Sequence, residues 1–225
     1  MHTTNQNQLE GRSVLALLRS LVPRRRLQFS EALRVAELQA NRLLDAMGVS
    51  NWPVPSEVAS DLPRVRIEYR DLPTSGLSFW DGQAWVICLN ASEAKTRQRF
   101  TLLHEIKHVI DHGRTGQLYA GNSGRTADEQ AEHAADFFAG CVLMPKRLLK
   151  RAWGNGFQRP TVLANLFNVS PRAVEVRLAQ LGLTEPKLRC APVSGVRYQT
   201  PSRAVYFRQT SADPSVAPTP QGVAA

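Results

Sequence analysis

Five consecutive residues carry the strongest chemical signal in the chain: His104-Glu105-Ile106-Lys107-His108 reads HExxH. On a helix, positions 104 and 108 lie one turn apart, about 6 Å along the axis. Both imidazoles then leave the same face and can share one zinc ion. Glu105 stands beside them, placed to reach a water on that ion but not the ion itself. The chemistry this predicts is metal-assisted hydrolysis, with Glu105 as the catalytic general base. Leu102, Leu103, Ile106, Val109 and Ile110 fill most other positions, so the helix is expected to be buried.

Two imidazoles do not complete such a site, and a third protein ligand is needed. His112 is near in sequence but about 12 Å from His104 along the same helix. Ligands strung along one helix cannot surround a tetrahedral ion, so His112 is expected to be a helix-end histidine favoured by the dipole. The metzincin pattern is excluded, because Asp111 and Arg114 stand where it requires Gly and His. The next helical segment offers Glu132 and Asp136, spaced i, i+4 and therefore on one face. Glu132 is the expected third ligand. Asp136 is the expected acceptor for the free N–H of a ligating histidine, which fixes its tautomer. Glu129 competes as a ligand but is also placed as a first-turn acid. His133 is expected to turn away from the ion. Tyr119, His112 and His133 are the candidates for an oxyanion donor. Zinc is the default metal for a His2Glu set, which also accepts Mn2+ or Fe2+.

The elements that must position these groups can be read from periodicity. Phe29, Leu33, Ala36, Ala40, Leu43 and Met47 form one apolar helical stripe, with Ser30 as a candidate N-cap and Gly48 as a stop. Residues 65–90 read as a small sheet of two or three strands. Val65 to Tyr69 and Ala84 to Leu89 are the clear strands, and Gly76 and Asp81-Gly82 are turn signals. Helices are expected over 96–112 and 127–143, with a glycine-rich loop over 113–126 between them.

Three blocks resemble the ImmA/IrrE family of zinc metallopeptidases: the run from Arg97 to His108 (RQRFTLLHEIKH), the run from Glu132 to Ala139 (EHAADFFA), and Leu143-Met144-Pro145. The resemblance covers roughly residues 30–183. It implies His104, His108 and Glu132 as ligands and Glu105 as the catalytic residue, the same four that spacing singles out. Lys107 departs from the pattern, which usually has Gly there. A lysine at this point is expected either to weaken metal binding or to meet an acidic substrate. The expected fold class is α+β, mostly helical: a zincin-like minimal metalloprotease domain with a small three-stranded sheet, plus a C-terminal helix-turn-helix-like segment. The expected divisions are a basic N-terminal arm (1–27), the metallopeptidase domain (28–150), the helix-turn-helix-like segment packed on it (151–185), and a Pro/Ser/Ala-rich tail (186–225).

Charge and composition bound the rest. The net charge is +9, but residues 28–145 sum to −4 while the ends are basic. A phosphate-binding surface therefore belongs to the C-terminal third or the tails. Residues 1–27 are read as either a short amphipathic helix or a disordered arm. No apolar run approaches the ~20 residues of a membrane span, and no signal-peptide pattern opens the chain, so a cytoplasmic protein without membrane association is expected. Cys88, Cys141 and Cys190 carry no CxxC spacing and are expected to be reduced thiols. Residues 161–183 have helix-turn-helix grammar, with Asn168 in the turn and Ser170-Pro171 opening the second helix. Arg172 and Arg177 are its candidate DNA contacts, set against a purely scaffolding role. The resemblance implies a protein substrate, a DNA-bound helix-turn-helix repressor cut in stress response or mobile-element induction. The competing readings are a DNA-binding regulator with a structural or silent metal site, and an anti-repressor that sequesters its partner.

Overall fold

The computed structural model describes residues 14–55, 62–122 and 124–183. The tail, Cys190 and residues 1–13 lie outside the described residues. Eight helices and three strands follow in order: α1 (Val14–Ser20), α2 (Phe29–Ala46), β1 (Val65–Arg70), β2 (Gly76–Trp80), β3 (Trp85–Asn90), α3 (Lys95–Asp111), α4 (Thr115–Leu118), α5 (Ala127–Leu143), α6 (Lys146–Gly154), α7 (Pro160–Phe167) and α8 (Pro171–Gln180). This is the expected mostly helical α+β fold.

The strand order is β1-β3-β2, with β1 parallel and β2 antiparallel to β3. β3 is central, and its apolar run Val86-Ile87-Cys88-Leu89 is buried along its whole length. β2 is an edge strand. Gly76, expected as a turn, is instead the first residue of β2. A Cβ there would stand 2.6 Å from Thr101 Cγ2 and 3.0 Å from the Cys88 carbonyl, so Gly76 exists to let β2 approach α3. The hairpin between β2 and β3 turns at Asp81, whose carboxylate accepts from the N–H groups of Gln83 and Ala84, both at 2.8 Å.

α2, α3 and α5 form the helical layer. Ala36, Ala40 and Leu43 from α2 meet Phe138, Ala139 and Val142 from α5 and Leu102, Ile106 and Ile110 from α3 in one core. Small residues on α5 let both neighbours approach closely. α2 is capped at Gln28 rather than Ser30: the Glu31 carboxylate accepts from Gln28 N at 2.9 Å, so the cap lies two residues earlier than expected. Gly48 does end the helix, at φ 66°.

Of residues 1–27, those from 14 onward are described, and Val14–Ser20 among them form a helix. Leu15 and Leu18 of α1 are buried in the main core. Arg19 donates to the carbonyls of Val109 at 2.7 Å and Ile110 at 3.2 Å, the unpaired C-terminal carbonyls of α3. Within the expected loop over 113–126, Thr115–Leu118 forms a single helical turn. α7 and α8 join through Asn168 at φ 52°, and Ser170 Oγ accepts from Ala173 N at 3.2 Å. Among the described residues no helix is long and apolar enough to cross a membrane.

Candidate metal centre

The first two donors come from α3, whose buried face (Leu102, Leu103, Ile106, Val109, Ile110) leaves His104 and His108 on the opposite, partly open side. Their Nε2 atoms lie 3.1 Å apart. Glu132 of α5 brings Oε2 to 3.2 Å from His104 Nε2 and Oε1 to 3.3 Å from His108 Nε2. These three residues form the metal-competent cluster among those described. Asp136 Oδ1 lies 2.9 Å from His104 Nδ1. A carboxylate only accepts there, so Nδ1 carries the proton and Nε2 presents a lone pair.

The donor set fits a tetrahedral divalent ion. With bonds of about 2.0–2.1 Å, the edges of such a tetrahedron are about 3.3 Å. The two imidazole nitrogens stand 3.1 Å apart, close to such an edge, and Glu132 brings Oε2 within 3.2 Å of one and Oε1 within 3.3 Å of the other, so all three side chains are within reach of one ion. A lone pair on His104 and a carboxylate facing one another repel unless a cation lies between them, so the arrangement calls for a positive charge at its centre. Burial opposes charge on His104, but the Asp136 hydrogen bond and the charges of Asp136, Glu132 and Glu105 outweigh it and raise its pKa. Burial, and then the neighbouring His104, lower that of His108.

Glu105 lies beside the cluster, only 8% exposed, and its Oε2 accepts from Ser78 Oγ at 2.8 Å. Ser78 was not legible as a site residue. The signal that could have found it is its place two residues after Gly76, on the same face of an edge strand. Leu77 and Ser78 of β2 and Arg97 and Phe100 of α3 extend this centre into a cleft of about 530 Å3.

The remaining candidates fall elsewhere. Tyr119 is 4% exposed and donates its hydroxyl to Asp111 Oδ2. Burial and Asp111 push its pKa up, so it stays a neutral donor committed to that bond, not an oxyanion donor in the cleft. His112 follows α3 and packs edge-on to Trp85 at 4.8 Å between ring centroids, outside the metal cleft. His133 turns away from Glu132, as expected, against Arg125 and Phe29. None of the three lines the metal cleft. Glu129 is not a ligand either, since it completes a capping box with Thr126 at the start of α5.

Lys107 does not face the ion or the cleft. It is fully buried, and Nζ donates to Asp111 Oδ1 at 2.6 Å, Asp111 Oδ2 at 2.7 Å and Gln39 Oε1 at 2.9 Å. Neither expectation for this residue survives. Its length is used to reach α2, where the family's usual Gly has no side chain. Burial lowers its pKa and Asp111 partly offsets that. Arg177, a candidate DNA contact, is 2% exposed. It donates to the Met144 carbonyl at 3.3 Å, lies 3.7 Å from Glu37, and stacks over Phe137 at 5.5 Å, fastening α8 to the helical layer. Arg172 remains exposed, paired with Glu175 at 3.3 Å.

A small mixed sheet laid on a helix bearing HExxH, with an acidic residue from the next core helix, defines a minimal zincin-like architecture. The family model for Peptidase_M78, the IrrE N-terminal-like domain, matches residues 64–179, and the chain belongs to that family. Among solved structures, a Mycobacterium tuberculosis transcriptional regulator superposes with a TM-score of 0.55 at 16% identity, over 80% of this chain and 55% of that one. The chain thus spans about half the length of that regulator, with which it shares a fold. No curated protein sequence matches the chain.

Proposed function

We propose that the protein is a zinc-dependent endopeptidase whose ion is held by His104, His108 and Glu132. The observation that supports this reading is the convergence of three donors within reach of one ion, with Glu105 beside them and outside the ligand set. The bound ion would supply Lewis acidity, lowering the pKa of a water and polarising the scissile carbonyl. Asp136 holds the His104 tautomer that presents Nε2. Ser78 occupies Glu105 Oε2 and so aims the carboxylate, leaving Oε1 to take the proton of the attacking water and pass it to the leaving amine. The outer edge of β2 borders the cleft, and its unpaired N–H and C=O groups suit an extended substrate backbone.

For the substrate, we infer a protein, with a DNA-bound helix-turn-helix repressor as the leading case, the protease acting in the cytoplasm. The alternative, a DNA-binding regulator or anti-repressor with a structural metal, draws support from the transcriptional regulator that shares the fold. With Arg177 buried, that reading rests on Arg172 alone of the two arginines on α8. One experiment separates the readings: Glu105→Gln is expected to retain metal, measured by elemental analysis, and to lose at least 10^3-fold in cleavage of a helix-turn-helix repressor that the parent chain cuts. Cleavage at the parent rate by that variant would refute the assignment.

A further inference from the structure

A second groove, of about 770 Å3, lies beyond the metal cleft and is larger than it. Trp80, Trp85 and His112 form an aromatic row, with centroid separations of 5.8 and 4.8 Å. Arg19, Arg64 and Arg114 line it as well, beside Leu15, Ala16, Ser20 and Pro63, and no Asp or Glu is among the described lining residues. Arg114 is near enough to Arg19 to depress its pKa, after burial. Arg19 spends Nε and Nη2 on the α3 carbonyls. Asp111 behind Arg19 offsets part of that charge, yet three arginines on one hollow, with no carboxylate among its described lining residues, favour an anionic ligand.

Its position connects it to the cleft. β2 and α3 run side by side in the same direction: Gly76 abuts Thr101, and Ser78 bonds Glu105. Trp80 is the next residue on that face of β2. His112 ends α3 about 12 Å past His104, the length of three to four extended residues. A chain lying along the β2 edge past the metal centre therefore runs into this groove. The lining offers charge and ring faces but no Asn or Gln side chain to read a nucleobase edge. What favours a peptide over a nucleotide is the groove's place at the end of the β2 edge beside the metal cleft.

We propose that this groove is a specificity subsite for an acidic, aromatic-containing stretch of the substrate three to four residues from the scissile bond, an inference that rests on the peptidase reading. The test is calorimetric titration of the full-length chain carrying Glu105→Gln with three probes: Ac-Glu-Asp-Phe-Glu-NH2, Ac-Lys-Lys-Phe-Lys-NH2 and AMP. The acidic peptide is expected to bind saturably, to weaken as salt rises, and to weaken about tenfold on Arg64→Glu. Arg114→Gln is expected to act in the same direction, and unchanged melting temperatures would show that neither variant has unfolded. Absence of binding, equal binding of the lysine peptide, an unaffected Arg64→Glu, or tighter binding of AMP would each overturn the proposal. Binding needs no turnover, so if the parent chain, with Glu105 intact and zinc bound, binds the acidic peptide yet cleaves no helix-turn-helix repressor, the peptidase reading falls and the anion groove stands.

Discussion

Replacing Lys107 by Met separates a structural role for this residue from any part in metal chemistry. Lys107 and Gln39 are fully buried and Asp111 is 2% exposed, so the ion pair is out of water on both sides. Deleting the lysine leaves the Asp111 carboxylate with the Tyr119 hydroxyl as its side-chain donor. Breaking a buried pair from one side costs about 3–5 kcal/mol. In a protein of this size each kcal/mol moves the melting temperature by about 2–4 °C, which gives a drop of about 6–20 °C. The double variant Lys107→Met/Asp111→Leu removes both charges and is expected to recover more than half of that loss. The remainder reflects the unpaired Tyr119 hydroxyl and Gln39 amide. Circular dichroism melts at pH 7 give the cycle, and elemental analysis gives metal content, which should stay at one ion per chain. A single variant melting within about 2 °C of the parent, or a double variant melting lower than the single, would refute the reasoning. Loss of metal without loss of stability would instead restore Lys107 to the metal centre.

Two further changes probe the fixtures around the site. Asp136→Ala should lower zinc affinity by about 10–100-fold, read by chelator competition, while leaving the melt nearly unchanged because its side chain is 61% exposed. An unaltered affinity would mean that His104 is oriented by other contacts. Arg177→Ala should cost about 1.5–3 kcal/mol in urea denaturation through its bonds to Met144 O, Gln180 and Glu37. If DNA retention falls and stability does not, the arginine faces nucleic acid after all.

The metal cluster was legible because its geometry is local. HExxH fixes two donors by helical pitch, and Glu132 and Asp136 share a face by the same pitch. The long helices and the strands β1 and β3 followed from apolar period and from Gly48, Asn168 and Ser170, whereas the edge strand β2 did not. The failures share another cause. Whether Lys107, Tyr119 or Arg177 points inward depends on a partner far away in sequence: Gln39 for Lys107, Met144 for Arg177. A charged residue is read as exposed unless its buried partner is known. The i, i+4 pair Lys107–Asp111 was visible in the sequence, but nothing local says that it is buried. Ser78 and Gly76 depend likewise on the close approach of β2 to α3, which no periodicity encodes.

Apart from Arg177, the buried polar contacts that escaped the sequence share a function: they fasten α3. At its first turn, Gln98 Nε2 donates to the Asn90 carbonyl at 2.8 Å, tying the helix to the end of β3. At Lys107 it is joined to α2 through Gln39, whose amide in turn donates to the Leu18 carbonyl of α1 at 3.1 Å. At its last turn Arg19 covers the free carbonyls of Val109 and Ile110. A metal centre needs its donors held within about 0.5 Å of productive geometry. The open side of α3 cannot supply that restraint, because Glu132 and Asp136 reach the site from solvent-exposed positions. The restraint therefore has to come from behind, and α1, α2 and β3 each provide one polar anchor there. On this account Gln39→Leu, which cuts the link between α1, α2 and Lys107 at once, loosens the metal helix without touching a ligand. Its signature would be faster amide exchange over 104–111 and weaker zinc retention together. Faster exchange with undiminished zinc retention would show that the ligands alone define the site.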